Sequence, residues 1–111
     1  MSDEQDIRRI ALSLPGTTEK PSYGTPGFRV RDRLFARIRQ EGDVLLVWAD
    51  ETERAAMMAE RPDTFFITSH YDGHPIVLVR FADVRVEELT ELLTESWRLR
   101  APQRLAKTLD S

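Results

Sequence analysis

Five arginines and one aspartate fall between Arg29 and Arg39 in FRVRDRLFARIR, so this segment carries +4 and leaves −7 for the remainder of a chain whose net charge is −3. Guanidinium forks pair bidentately with phosphate oxygens, and a two-stranded ribbon fits a duplex groove. Arg29, Arg31, Arg37 and Arg39 are therefore candidate phosphate ligands, and Phe35 among them is a candidate platform for an exposed base. A second basic group, Arg98, Arg100, Arg104 and Lys107, lies near the C-terminus. The same arginines would equally serve as the solvated side of a sheet, or as partners for the chain's many carboxylates.

Other chemistries find less support. In HYDGH, His70, Asp72 and His74 are possible metal ligands, but Gly73 and Pro75 forbid the helix that would bring the two histidines to one face, and no third ligand is evident. Asp3, Glu4 and Asp6 make an acidic first helical turn, which suits capping and the helix dipole as well as it suits a metal. Cysteine is absent, which excludes disulfides, thiolate zinc sites and cysteine nucleophiles. There is no nucleophile elbow, phosphate-binding glycine loop or zinc signature, and Glu87-Glu88 belong to a solvated helix face. The expectation is a binding protein, neither an enzyme nor the holder of a cofactor. The pI near 5.4 argues against bulk coating of nucleic acid. With no apolar run of about 18 residues and an acidic, polar N-terminus, the expected location is the cytoplasm, away from membranes.

The elements that must position these residues follow from pattern. A chain of 111 residues with 41% hydrophobic content suits one domain spanning 1–111. Ser2 and Gln5 have capping-box spacing, and Ile7, Ile10, Ala11 and Leu14 form one apolar stripe, which predicts a helix over 3–13. Residues 17–27, rich in proline and glycine, read as an irregular connection. Strands are expected from Phe28 through the arginine segment, at Val44–Trp48, at Thr64–Thr68 and at Ile76–Phe81, with the last two paired. Helices are expected over 51–61, from Val86 with Leu89, Leu92, Leu93, Ser96 and Trp97 on one side, and over 102–109. Trp48 and Trp97 are assigned to the core. The turn near Asp32 decides the faces: an odd number of residues places Arg29, Arg31, Phe35, Arg37 and Arg39 together, whereas a two-residue turn splits them. The odd turn is preferred, because it separates charge from the apolar set and because Asp32-Arg33 lacks glycine. The resulting order, α-β-β-β-α-β-β-α-α, is an α+β domain with a five-stranded, mostly antiparallel sheet and helices packed on it.

The stretches ALSLPGTTEK, YGTPGFRV, LFARI, HYDGHPIVLVR and SWRLRAPQRLAK, from Ile7 to Leu105 in order, resemble the MmcQ/YjbR family of small bacterial proteins. The resemblance implies a CyaY/frataxin-like fold and a DNA-binding role. Many members carry a lysine at the end of the third strand, where this chain has Trp48. The expected function is therefore weak, sequence-tolerant DNA binding through Arg29, Arg31, Arg37, Arg39, Arg98, Arg100 and Arg104. The alternatives are a frataxin-like metal-binding protein using the acidic first helix, and a protein or small-molecule interaction domain.

Overall fold

In the computed structural model, which describes residues 1–109, Asp3 starts the first helix, α1 (Glu4–Ser13). Its side chain accepts a hydrogen bond from the Asp6 N–H while the Asp6 side chain accepts one from the Asp3 N–H, a reciprocal cap. The cap is one residue later than the Ser2–Gln5 spacing suggests, because Ser2 is buried and its Oγ donates to the Val84 carbonyl at 2.8 Å.

Six strands follow where five are expected. β1 (Thr17–Ser22), β2 (Thr25–Val30), β3 (Arg33–Ile38) and β4 (Val44–Trp48) form an antiparallel meander. α2 (Glu51–Glu60), capped by the Asp50 side chain on the Glu53 N–H, leads to the short β5 (Phe65–Phe66) and then to β6 (Ile76–Arg80). The sheet order is β1-β2-β3-β4-β6-β5, so β6 pairs with both β4 and β5. α3 (Val86–Arg100) and α4 (Gln103–Leu109) complete the described chain.

The additional strand is β1, within the segment read as irregular. It lies at the sheet edge, where Pro21 removes no ladder bond that a central strand would need. Tyr23 and Gly24 form its two-residue turn, both with positive φ, 55° and 80°, which matches the twist of the strands they join.

The second hairpin reaches its strand faces by a different turn from the one expected. Its turn is the two-residue Arg31-Asp32, with φ of 50° and 67°, in place of the odd turn expected. The pairing Val30 with Arg33 and Arg29 with Leu34 then shifts to Phe28 with Ala36, leaving Phe35 as an extra, bulged residue. The bulge sends Phe35 into the core with Phe28, Val30, Ala36 and Ile38, fully buried, and away from Arg37 and Arg39.

Side chains alternate across β4 and β6. Leu45, Val47, Val77 and Val79 join the main core under α1 and α3, with Ile7, Ile10, Leu89, Leu93 and Trp97. Val44, Leu46, Ile76 and Leu78 form a second apolar cluster, against which Trp48, Phe66 and Tyr71 pack. Trp97 is a core residue as expected, its Nε1 donating to the Pro15 carbonyl at 2.9 Å. Trp48 is not in that core: the alternation turns it to the second cluster, where it is partly exposed.

Candidate nucleic-acid interface

The second apolar cluster floors a cleft of about 450 Å³, lined by Leu34, Leu46, Trp48 and Ile76 together with Tyr23, Arg37, Arg39, Gln40, Glu41, His70 and Tyr71. Three chain segments bring the walls together. The β1–β2 turn presents Tyr23, β3 and the hairpin after it present Arg37, Arg39, Gln40 and Glu41, and the 3-10 turn at Ser69–Tyr71 presents His70 and Tyr71.

Arg37 is 9% exposed. Its partner across the sheet is Gly27, where an added Cβ would lie 2.9 Å from Ser22 Cβ and 3.1 Å from the Lys20 carbonyl. No side chain fits at Gly27. The Arg37 guanidinium lies 5.1 Å from the Tyr23 ring centre and 3.5 Å from the Tyr71 hydroxyl, between two aromatic residues. Among the described residues no carboxylate stands within ion-pair distance of it.

Arg39 lies beside it, 5.9 Å from the Tyr71 ring centre, with Nε 3.5 Å from Glu41 Oε1. Its Nη1 is buried without a hydrogen-bond partner. Two guanidinium groups against one glutamate leave the cleft with a surplus positive charge. Gln40 Nε2 donates to the Tyr23 carbonyl at 3.3 Å and ties the two hairpin ends together.

The loop that carries Tyr71 is held from behind. Arg54 of α2 is buried, and its Nη1 donates to the carbonyls of Tyr71 at 3.5 Å, Ile76 at 3.2 Å and His74. Nothing in the sequence distinguishes Arg54 from the exposed arginines of other helices.

The seven arginines expected to act together are distributed. Arg37 and Arg39 share the cleft. Arg100 lines the neighbouring hollow instead, its guanidinium 4.4 Å from the Trp48 ring centre and its Nε donating to the Leu34 carbonyl at 2.9 Å. Burial, and then the neighbouring charge of Arg33, hold Arg100 below the ordinary arginine value. Arg31, at the turn, lines a separate hollow with Pro102, Arg104, Leu105 and Thr108. Arg29 donates to the Asp32 carbonyl at its own hairpin tip, and Arg98 pairs with Glu95 at 3.5 Å. Phe28, Val30, Ala36 and Ile38 all point into the core, so alternation leaves Arg29, Arg37 and Arg39 on the opposite face of the sheet, but only Arg37 and Arg39 of the seven line the cleft.

Tyr23, Gln40, Trp48 and Tyr71 are members of this site that the sequence did not nominate. Their separation in the chain conceals their convergence. Tyr23, 79% exposed in a two-residue turn, is the one whose sequence carried a signal, since Tyr23-Gly24 is followed by a strand-forming run.

The metal candidates separate. His70 lines the cleft, whereas His74 borders a different hollow beside Leu99 and Arg100. On α1, Asp3 caps the helix, Asp6 pairs with Arg9 at 3.2 Å and Glu4 with Arg8 at 3.5 Å. Among the described residues no three His, Asp or Glu side chains come together to hold a metal ion. No helix among them is long and apolar enough to cross a membrane.

Comparison with known proteins places these features in a family. Uncharacterised proteins of Mycobacterium tuberculosis and Mycobacterium bovis are each 34% identical to the chain over 125 aligned residues, covering 96% of this chain and 95% of the relative. The crystal structure of the Deinococcus radiodurans protein DR2400, a DUF419 domain, superposes with a TM-score of 0.80 over 99% of this chain and 89% of its own, at 24% identity, and so shares the fold. The YjbR family model matches residues 12–99, which span β1 to β6 and nearly all of α3. On that match and the mycobacterial relatives, the chain belongs to the YjbR family.

Proposed function

We propose that this protein binds nucleic acid as an unpaired strand, in the cytoplasm, through the cleft between Tyr23 and Tyr71, and that its role is binding without catalysis. The observation that carries the reading is Arg37: a residue nine-tenths buried, whose guanidinium is flanked by two tyrosines and lacks a carboxylate partner. A buried charge is stable when paired, and phosphate is the anion that a planar guanidinium between aromatic rings accommodates together with a base. Single-strand sites combine such cations with stacking rings, and tolerate sequence because every base has a π-face. A concave site excludes the stacked duplex that a protruding ribbon would enter. The predicted target therefore narrows from DNA in general to unpaired strands.

Fluorescence anisotropy with labelled single-stranded and duplex oligonucleotides at low salt tests this. Single strands should bind with a Kd of roughly 10⁻⁴–10⁻⁶ M, duplexes more weakly, and the salt dependence should have a slope of about −1.4 if two phosphates are neutralised. Arg37→Glu should abolish binding while circular dichroism shows the fold retained, and Arg31→Glu and Arg29→Glu should change it little. Absence of binding at low salt, or an Arg37→Glu protein that binds as before, would overturn the reading.

A further inference from the structure

We infer that the unit recognised in the cleft is one nucleoside monophosphate, with its phosphate at the Arg37 and Arg39 pair and its base against the aromatic wall. The inference rests on the nucleic-acid reading of the cleft and specifies the ligand class. Four observations converge on it.

The first is capacity. A volume of about 450 Å³ lies in the range of small-molecule sites, roughly 300–1,000 Å³, and suits one nucleotide. The second is the pair of cations. Arg37 and Arg39 both line the cleft, and of the two only Arg39 has a carboxylate partner among the described residues, Glu41 at 3.5 Å. An anion seated between them would share both charges.

The third observation is that the anion site has an apolar and aromatic neighbour. Leu46 and Ile76 floor the cleft, Trp48 closes one side, and Tyr23 and Tyr71 stand over the arginines. A phosphate by itself would leave these surfaces wetted, whereas a base covers them and removes apolar area from water. The fourth is polar capacity at the rim. With its Nε2 on the Tyr23 carbonyl, Gln40 retains a carbonyl oxygen that can accept a hydrogen bond from a base edge, and Glu41 adds a carboxylate acceptor. Cation, ring and hydrogen-bonding edge are the three recognition elements of a nucleotide, and here they line one cavity.

The ligand chemistry has two sources, a free nucleotide or an unpaired residue within a strand. Isothermal titration of the full chain with adenosine monophosphate, adenosine and inorganic phosphate, alongside a single-stranded oligonucleotide, separates them. Adenosine monophosphate is expected to bind at least about ten-fold more tightly than either adenosine or phosphate. Arg39→Gln should weaken the nucleotide several-fold, and Tyr23→Ala should weaken it while leaving the response to phosphate unchanged. Tyr23 is exposed, so its removal does not threaten the fold.

Binding of the nucleotide with no binding of the strand would support this inference, with the free nucleotide as ligand, and sink the strand reading. Binding of the strand in an Arg37-dependent manner with no binding of the nucleotide would overturn the inference and leave the strand reading standing. Phosphate binding as tightly as the nucleotide would reduce the cleft to an anion site and overturn the inference. Silence of all four ligands would remove both readings.

Discussion

Ser96 of α3 bridges Trp48 of β4 to Phe35 of β3: the Trp48 N–H donates to Ser96 Oγ at 2.8 Å, and the Ser96 hydroxyl donates to the Phe35 carbonyl. The last β3–β4 pair is Ala36 with Val47, and just beyond it the fully buried Ser96 hydroxyl bridges the two chains. Ser96→Ala leaves a buried donor and a buried acceptor unpaired. The expected loss is about 1–3 kcal/mol, read from urea denaturation, and a change near zero would mean that the strands need no such bridge.

Arg54 supports the cleft from behind through the carbonyls of Tyr71, His74 and Ile76. Arg54→Met keeps the aliphatic stem and removes the donors. Stability should fall by about 3 kcal/mol, and the loop at 69–75 should become the first site of limited proteolysis. Nucleotide affinity should fall with it, because Tyr71 is carried on that loop. A variant as resistant to protease as the parent would show that the loop holds its own conformation.

The Arg31-Asp32 turn has positive φ at two residues that are not glycine. Replacing the pair by Asn-Gly supplies the residues this turn favours and relieves left-handed strain. A gain of about 1 kcal/mol in thermal or chemical denaturation is expected. Since Arg31 lies away from the cleft, oligonucleotide binding should be unchanged. Loss of binding would return the hairpin tip to the site.

Two carboxylates are expected to contribute to the loss of stability in acid. Glu19 lies below its ordinary value because Arg8 donates hydrogen bonds to it, with burial opposing, and this pair joins β1 to α1. Asp6 is lowered chiefly by the Asp3 backbone N–H and then by Arg9. Because their folded-state values are lowered, their contribution is present above the unfolded carboxylate range, near pH 4, and is lost as pH falls through the folded values. Between pH 7 and pH 3, the melting temperature of the Glu19→Gln, Asp6→Asn protein should decline less than that of the parent. Equal declines would assign the loss in acid to other carboxylates.

Much of the framework is a consequence of local sequence. The i, i+3, i+4, i+7 spacing of Ile7, Ile10, Ala11 and Leu14 and the Leu89-to-Trp97 series specify helix faces directly, since each depends on residues a few positions apart. The unbroken Val44–Trp48 run likewise specifies a central strand covered on both sides, as β4 is. Tertiary structure decided what depends on register and on distant partners. One extra residue at Phe35 moved a ring from the arginine set into the core, because side-chain parity in a strand reverses with every single-residue shift. Edge pairing made a strand of Thr17–Ser22, whose composition favours neither helix nor strand by itself. The cleft needed both: local sequence supplied arginines and tyrosines, but the pairing of Arg37 opposite Gly27 and the anchoring of Tyr71 by Arg54 are contacts between residues far apart in the chain, and only the folded sheet brings them together.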